Sequence, residues 1–326
     1  MTQNGPRFGL IGAAGYIAPR HMEAMKKAGG SLIAAFDPSD SVGIIDRHFP
    51  QARFATDFER FAEHVDKLKR TGQKLDYICI CSPNYLHHAH IAFALRAGSD
   101  AICEKPLVLE PSHIDDLTEL EKVTGQRINT ILQLRLHPSI IALRDKIAAD
   151  KSGRVYECDL TYITSRGLWY YESWKGDEKR SGGIATNIGV HFFDMLSFAF
   201  GPLRQNTVQH RAMDCAAGYL AYERANVRWF LSINRRDITR DGVAQRSLDI
   251  KDLATYDFSQ GFEDLHAVSY QEIIGGRGFP LSEVRPSIET VTQIRTAPLE
   301  PDQGEAHSML ARVRADAGRY CDGWPI

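Results

Sequence analysis

In the first 135 residues, short apolar runs alternate with segments whose apolar side chains recur at helical spacing. The runs occupy residues 8–11, 32–36, 77–81, 101–103 and 128–134. Runs that are apolar throughout predict strands buried on both faces, as in a parallel sheet covered by helices. Strands and helices that alternate at this spacing therefore predict a doubly wound α/β domain of the Rossmann type.

The pattern changes after Gly153. Across residues 155–164 apolar and polar side chains alternate, and residues 227–233 repeat this alternation. A period of two is typical of strands with one wet face, as in antiparallel sheets. Helical patterns return at residues 266–274 and 284–294. We therefore predict two domains, a Rossmann domain over residues 1–135 and an α+β domain with an open, mostly antiparallel sheet over residues 136–326.

Charge and composition exclude several classes of function. The 326 residues carry a formal net charge of −2, which gives no reason to expect nucleic acid as a partner. No apolar run approaches the ~18 residues of a membrane span, and the N-terminus lacks a signal pattern. We expect a cytoplasmic protein that does not bind membranes, with scattered cysteines that are buried thiols.

The turn after the first strand carries the first functional signal. Its sequence, Gly12-Ala13-Ala14-Gly15-Tyr16-Ile17-Ala18, lies between a buried strand and a predicted helix. Glycine permits the tight turn, and small residues let the backbone approach a pyrophosphate that rests on the N–H groups of the helix. We predict dinucleotide binding by Gly12, Ala14, Gly15, Tyr16 and Ile17.

Asp37 ends the second predicted strand. A carboxylate at this position accepts hydrogen bonds from the adenine ribose and repels a 2′-phosphate. The following residues supply no arginine to hold such a phosphate, so NAD is favoured over NADP. The alternative is that Asp37 is only a helix N-cap or turn residue.

Two loops follow the next buried strands, at the edge where open α/β sheets bind ligands. They are Ser82-Pro83-Asn84 and Glu104-Lys105-Pro106. A lysine that directly follows a buried strand points into the ligand crevice, although a surface lysine in a turn is the plain alternative.

In the second half, Asn187 and His191 are four residues apart and would share one face of a helix. His191 is a candidate base, although a histidine at a helix start is usually structural. The group His87, His88 and His90 offers no carboxylate or cysteine at ligand spacing, so no metal site is predicted.

Taken together, these motifs resemble the Gfo/Idh/MocA oxidoreductase family over nearly the whole chain. The matching residues are Glu104-Lys105-Pro106, the pair Asn187 and His191, and the loop Ser82-Pro83-Asn84-Tyr85-Leu86-His87. The resemblance implies catalytic roles for Lys105, His191 and Asn187. It also implies cofactor contacts from Ser82, Pro83, Asn84, His87, Glu104 and Lys105, and a homotetramer.

Two features depart from the usual family pattern. Asn187 stands where most members have aspartate, and an amide cannot take a proton at neutral pH, which leaves His191 as the base. The turn reads G-x-x-G instead of G-x-G.

Residues 12–21, 161–167 and 186–191 resemble one branch of the family. Its members oxidise the C3 hydroxyl of UDP-N-acetyl-glucosaminuronate to a ketone. A partner aminotransferase then acts on that ketone, on the route to diacetylated aminouronate sugars of lipopolysaccharide O-antigen.

Several residues suit such a UDP-sugar substrate. Arg135 and Arg166 can pair with carboxylate or phosphate oxygens, and the aromatic loop 168–175, with Trp174, offers flat faces for uracil or sugar. A subunit interface is an equally good interpretation of this loop. Two rival functions are an inositol- or glucose-type polyol dehydrogenase of the same family and a non-enzymatic NAD sensor.

Overall fold

The computed structural model describes residues 5–238, 245–259, 261, 264–302, 304–316, 318–321 and 324–325. These residues form two compact units. The first unit contains residues 1–133 and 264–285, and the second contains residues 134–263 and 286–326.

The first unit is built on a six-stranded parallel sheet. Its strands are β1 (Arg7–Ile11), β2 (Ser31–Phe36), β3 (Arg53–Ala55), β4 (Tyr77–Ile80), β5 (Asp100–Cys103) and β6 (Ile128–Thr130). They lie in the order β3-β2-β1-β4-β5-β6, the doubly wound order of a Rossmann fold. The predicted α/β class is confirmed, and its ligand crevice is expected at the carboxyl ends of β1 and β4, where the strand order reverses.

Helices connect these parallel strands. They are α1 (Ala18–Lys27), α2 (Ile44–His48), α3 (Phe58–Arg70), α4 (His87–Arg96) and α5 (Pro111–Thr124). On α3, Phe61, Val65 and Leu68 recur at helical spacing and form a buried stripe. The strands are buried on both faces: Phe8 and Leu10 of β1 and Cys79 of β4 are 0% exposed.

Two details of this sheet differ from the sequence prediction. The edge strand β3 has three residues and includes no apolar run, so its pattern gives no strand signal. The predicted strand 128–134 pairs with β5 only as far as Thr130. Gln133–Leu136 is a 3-10 helix, so Arg135 lies in a helical turn and not at the end of a strand.

The second unit contains a six-stranded sheet in the order β12-β11-β7-β10-β9-β8. Its strands are β7 (Tyr156–Ile163), β8 (Leu203–Arg211), β9 (Cys215–Tyr222), β10 (Ala225–Ser232), β11 (Arg246–Ile250) and β12 (Ala254–Asp257). Only the β7–β10 pair is parallel among these pairings. The predicted mostly antiparallel sheet is confirmed.

The remaining elements flank or follow this sheet in the chain. The helices are α6 (Pro138–Ala149), α7 (Trp169–Glu172), α8 (Glu178–Ser181), α9 (Val190–Phe200), α10 (Leu265–Ile274), α11 (Leu281–Thr296) and α12 (Ser308–Ala315). The short strands β13 (Tyr320–Cys321) and β14 (Trp324–Pro325) pair with each other. No helix among the described residues is long and apolar enough to cross a bilayer.

The two units differ from the predicted domains, which divide the chain once, after residue 135. The chain returns to the first unit at residues 264–285. Tyr270 and Ile273 of α10 belong to the apolar cluster that includes Met22 and Met25 of α1 and Phe8 of β1. Burial of this apolar helix face accounts for the return, and a linear division of the sequence does not reveal it.

Candidate functional site

The glycine turn packs against the ends of two strands. Gly12 has a φ of +91°, and a Cβ atom added there would lie 2.5 Å from the carbonyl carbon of Cys81. The N–H groups of Gly12 and Ala13 both donate to the carbonyl of Phe36, at 2.8 and 3.1 Å. Only glycine fits at position 12, for reasons of both conformation and space.

Helix α1 begins directly after this turn. Its N-cap residue, Ile17, provides no side-chain cap, and a proline occupies its first turn. An uncapped helix N-terminus with a small-residue turn before it is a suitable site for a pyrophosphate. Tyr16 is 90% exposed at this point, beside Gly15 of the turn.

The Asp37 carboxylate is anchored by two backbone groups. Ala14 N–H donates to Oδ2 at 3.0 Å, and Ser39 N–H donates to Oδ1 at 2.9 Å. Asp37 is therefore a turn residue, as the alternative interpretation holds, and this is one part of its role. A carboxylate has about four lone-pair sites, so two sites remain for ribose hydroxyls. The turn, the helix and Asp37 together fit NAD.

The loop after β4 is held by two histidines. The Oγ atom of Ser82 lies 2.8 Å from Nδ1 of His90. The ring of His87 bridges two loops, since Nε2 lies 2.8 Å from the carbonyl oxygen of Ser82 and Nδ1 lies 2.7 Å from that of Pro106. His87 begins α4 and is 1% exposed, while Asn84 is 5% exposed. His87 thus fixes the relative position of the two loops, and its contact with the cofactor stays a prediction.

The second loop contains Glu104, Lys105 and Pro106, after β5. The Lys105–Pro106 peptide bond is cis. Lys105 is half-buried, whereas Glu104 is buried. The Oε1 atom of Glu104 lies 2.8 Å from Nε2 of His21 and 2.9 Å from Nε2 of His266.

Three further residues of this loop's surroundings were not predicted from the sequence as site residues: His21, His266 and Tyr270. His266 and Tyr270 are one helical turn apart on α10, a spacing that places them on one face. That spacing was the available signal, but it does not show that α10 returns to the first unit. The ligand atoms of His21, Glu104 and His266 lie within 4.8 Å of one another, so this trio is also a possible metal-binding set.

In the second unit, Asn187 lies in a π-helical turn, Ala185–Gly189, and His191 is the second residue of α9. Both side chains are half-buried. The segment is helical, as its predicted shared face requires. The amide of Asn187 donates to the hydroxyl oxygen of Tyr170 at 2.7 Å. π-turns inside helices frequently mark functional sites.

Arg135 forms a buried ion pair. Its guanidinium donates to both oxygens of Asp194, at 2.8 and 2.7 Å, and lies 5.3 Å from the ring centroid of Phe198. The guanidinium N–H groups that we predicted to bind oxygens of a substrate therefore donate to Asp194 of the same chain. Arg166, by contrast, is exposed.

The aromatic loop has a buried part and an exposed part. Tyr170 and Tyr171 are 3% and 9% exposed, whereas Leu168 and Trp169 are each 56% exposed. The Nζ atom of Lys175 lies 3.9 Å from the ring centroid of Trp174. This cation–π contact covers one face of the Trp174 ring.

Two family models match the chain. Residues 6–131 match the model described as "Oxidoreductase family, NAD-binding Rossmann fold", and residues 144–236 match "Oxidoreductase family, C-terminal alpha/beta domain". The first match lies in the first unit of the structure and the second match in the second unit.

The chain is also similar to solved structures of the WlbA (WbpB) dehydrogenase from Thermus thermophilus. The identity is 45% and the TM-score 0.89, over 93% of this chain. One structure is in complex with NAD and α-ketoglutarate and is covered to 99%; the other is in complex with NAD and UDP-GlcNAcA and is covered to 98%.

Among curated relatives, inositol 2-dehydrogenase from Rhizobium meliloti is 29% identical over 203 residues, which is 60% of this chain and 55% of that protein. The first three curated relatives are matched over 40%, 56% and 55% of their own lengths. The chain therefore spans about half the length of these curated relatives.

Proposed function

Because this chain belongs to the Gfo/Idh/MocA oxidoreductase family, we propose that it oxidises the C3 hydroxyl of UDP-N-acetyl-glucosaminuronate to a ketone, with NAD as cofactor. The main support is the 45% identity, over 93% of the chain, to a dehydrogenase whose structure contains NAD and UDP-GlcNAcA. The product belongs to the biosynthesis of diacetylated aminouronate sugars of lipopolysaccharide O-antigen. There a partner aminotransferase consumes the 3-keto sugar.

The cofactor is held by the turn from Gly12 to Ile17 and by Asp37, with the loops at Ser82 and Glu104 as further contacts. NAD, when bound, accepts the hydride that leaves the substrate. Ala14 has two parts in this arrangement, since it lines the turn and its N–H anchors Asp37.

The chemistry of the oxidation falls to three residues. A secondary alcohol gives up hydride readily only as its proton leaves, so a base must reach the hydroxyl. His191 is that base, and Lys105 donates a hydrogen bond to the same oxygen and stabilises its developing negative charge. Asn187, whose amide is oriented by Tyr170, holds the sugar in register.

Of the two arginines predicted to bind the substrate's carboxylate or phosphate groups, Arg166 is the better candidate. Its guanidinium is exposed, whereas Arg135 already has a bidentate carboxylate partner in Asp194. Arg135 then acts on the substrate indirectly, by fixing the start of α6 against α9. Trp174 offers its ring to the uracil or sugar, with one face covered by Lys175.

We also infer that the protein is a homotetramer in the cytoplasm. The exposed side chains of Leu168 and Trp169 support a subunit contact at the aromatic loop. Five cysteines are free thiols, which is typical of proteins in a reducing compartment: Cys79, Cys81, Cys103, Cys158 and Cys215. Light scattering on the purified protein measures the oligomeric state.

Titration calorimetry with UDP and with myo-inositol, each in the presence of NAD, tests the substrate class. We expect UDP to bind and Arg166→Ala to weaken that binding about tenfold or more. Binding of myo-inositol without binding of UDP would favour the polyol dehydrogenase. The native protein and Arg166→Ala have the same aromatic loop, including Lys175. A difference in UDP affinity between them therefore reports on the Arg166 guanidinium.

Replacement of the proposed base tests the mechanism. We expect His191→Asn and Lys105→Ala each to lower kcat by ~10²-fold or more while the protein stays folded. Steady turnover in a folded His191→Asn variant would remove His191 from its assigned role. α-Ketoglutarate, which the Thermus relative binds, should be added in one arm to test whether it reoxidises NADH.

A further inference from the structure

The Glu104 carboxylate is occupied on both oxygens inside the first unit. Oε1 lies 2.8 Å from Nε2 of His21 and 2.9 Å from Nε2 of His266. Oε2 accepts a hydrogen bond from the backbone N–H of Lys105 at 3.2 Å. His21 is 0% exposed, His266 2% and Glu104 6%. The carboxylate therefore connects two buried histidines to the backbone of Lys105.

The network continues beyond His21. Its Nδ1 atom lies 2.8 Å from the hydroxyl oxygen of Tyr270, which lies 3.0 Å from the Sγ atom of Cys79. Burial raises the pKa of Tyr270 well above its usual value and raises the pKa of Cys79 to about 12. Both groups therefore keep their protons at neutral pH.

The charge states of His21 and Glu104 follow from their surroundings. Burial lowers the pKa of His21 and is the largest influence on it. Burial alone would raise the pKa of Glu104, but hydrogen bonds from His21 and His266 outweigh it and hold that pKa well below its usual value. Glu104 is thus a carboxylate and His21 a neutral imidazole.

One set of proton positions satisfies this arrangement. Neutral His21 carries its proton on Nε2 and donates it to Glu104, while Nδ1 accepts from the Tyr270 hydroxyl. His266 donates from Nε2 to the same carboxylate oxygen.

The donors come from two helices that pack together. His21 is on α1, the helix that follows the glycine turn, and His266 and Tyr270 are one turn apart on α10. Both helices contribute to one buried apolar cluster, so the imidazoles have little freedom to move. A carboxylate held by fixed donors in a buried site is itself fixed.

We propose that His21, His266 and Tyr270 are positioning residues for Lys105, which act by holding the Glu104 carboxylate that anchors the Lys105 backbone. The inference rests on the role proposed above for Lys105. Loss of one imidazole donor leaves a buried carboxylate partly unsatisfied, so it rotates or takes up a proton. Either change releases the Lys105 N–H, and a misplacement of ~1 Å in a catalytic group lowers turnover up to ~10²-fold.

A bound metal ion is the competing interpretation of the same atoms. Two histidines and a carboxylate form a common ligand set for Zn²⁺. However, the 2.8 and 2.9 Å separations of His21 and His266 from Glu104 are those of N–H···O hydrogen bonds. A metal would also replace the N–H groups by lone pairs.

Two replacements of His266 separate a donor role from a packing role. His266→Gln keeps an N–H at a position close to Nε2, whereas His266→Met fills the space without a donor. We expect the Gln variant to keep kcat within about threefold, and the Met variant to lose ~10- to 100-fold in kcat with little change in the KM for NAD. Gln271→Ala, at an exposed position on the same helix, is the matched control and should leave the kinetics unchanged.

An NMR readout does not depend on the substrate. With selectively labelled lysine, the amide resonance of Lys105 should move in the Met variant and in Tyr270→Phe, and stay near its native position in the Gln variant. Histidine ¹⁵N spectra should show His21 as a neutral Nε2–H tautomer and His266 with a proton on Nε2. These spectra test the network even if UDP-N-acetyl-glucosaminuronate is not the substrate.

Three results would overturn the proposal. The first is an equal loss of kcat in the Gln and Met variants at unchanged thermal stability. The second is a Lys105 amide resonance that does not respond to the Met variant. The third is a stoichiometric metal ion in the purified protein that is lost on replacement of His266, measured by mass spectrometry.

Discussion

The side-chain amide of Asn187 donates a hydrogen bond to the hydroxyl oxygen of Tyr170 at a distance of 2.7 Å. Tyr170 lies in the aromatic loop and is 3% exposed, and burial raises its pKa, so it keeps its proton. The contact joins the π-turn that contains Asn187 to the aromatic loop.

Tyr170→Phe tests the role of this contact in catalysis. Loss of one neutral hydrogen bond is worth about 0.5–1.5 kcal/mol, so we expect kcat/KM to fall about 2- to 10-fold. Asn187→Ala, which also removes the proposed substrate contact, should be more severe. If steady-state kinetics show a normal Tyr170→Phe enzyme and an impaired Asn187→Ala enzyme, Tyr170 does not orient Asn187.

Asp37→Ala tests the selection of NAD. The variant removes the acceptor proposed for the adenine ribose and the anchor of the Ala14 N–H. Hydrogen bonds to a charged group are worth about 1.5–3 kcal/mol, so the Kd for NAD should rise roughly 10- to 100-fold. The preference over NADP should shrink, because the repulsion of a 2′-phosphate is gone.

Fluorescence titration with each dinucleotide measures both effects. The control is Asp40→Ala, an exposed aspartate three residues further along the chain. Unchanged NAD binding by Asp37→Ala would mean that its carboxylate serves only the turn.

Gly12 and Gly15 should respond differently to the same substitution. In Gly12→Ala the new Cβ meets the carbonyl carbon of Cys81 at 2.5 Å, and the backbone has a φ of +91°. In Gly15→Ala the nearest atom is the Gly12 carbonyl oxygen at 3.1 Å. We expect Gly12→Ala to lower the free energy of unfolding by about 3 kcal/mol and Gly15→Ala by much less.

Thermal unfolding of both variants provides the comparison. A larger loss in Gly15→Ala than in Gly12→Ala would contradict the described turn geometry. We also expect a folded Gly12→Ala protein to bind NAD more weakly than the native protein, as measured by NAD titration.

His307 predicts a loss of stability in acid. Its Nδ1 accepts the Met309 N–H at the start of α12, and its Nε2 lies 2.9 Å from Thr161 Oγ1. Burial lowers the pKa of His307 to about 4, below the 6.5 of an exposed histidine. The unfolded chain therefore takes up this proton first, and stability falls between pH 6.5 and pH 4.

The shift in pKa corresponds to about 3 kcal/mol of unfolding free energy across that range. His307→Asn keeps an acceptor for the Met309 N–H and does not titrate. Urea unfolding from pH 7.5 to pH 4 should show a shallower decline for the variant. Parallel curves for the variant and the native protein would show that His307 does not contribute.

Much of the first unit could be predicted because its strands carry their own signal. A strand buried on both faces must be apolar throughout, so β1, β2 and β4 are visible as runs in the sequence. The glycine turn, Asp37 and Lys105 then follow from their places at the carboxyl ends of these strands. The edge strand β3 has no such constraint and was missed.

The buried contacts of the site could not be predicted in the same way. His266 reaches Glu104, and Tyr270 reaches His21, only because α10 returns to the first unit. Nothing in their local sequence encodes that return. The Arg135–Asp194 pair is likewise a contact between residues 59 positions apart. The sequence shows that an arginine is present, but it does not distinguish a ligand from a carboxylate of the same chain as its partner.

The central claim is tested most directly by absorbance at 340 nm during incubation of the protein with NAD and UDP-N-acetyl-glucosaminuronate. We predict that NADH forms with this sugar nucleotide, that the product carries a ketone at C3, and that myo-inositol gives no NADH. If NADH forms with myo-inositol or glucose and not with the sugar nucleotide, the proposed function is contradicted.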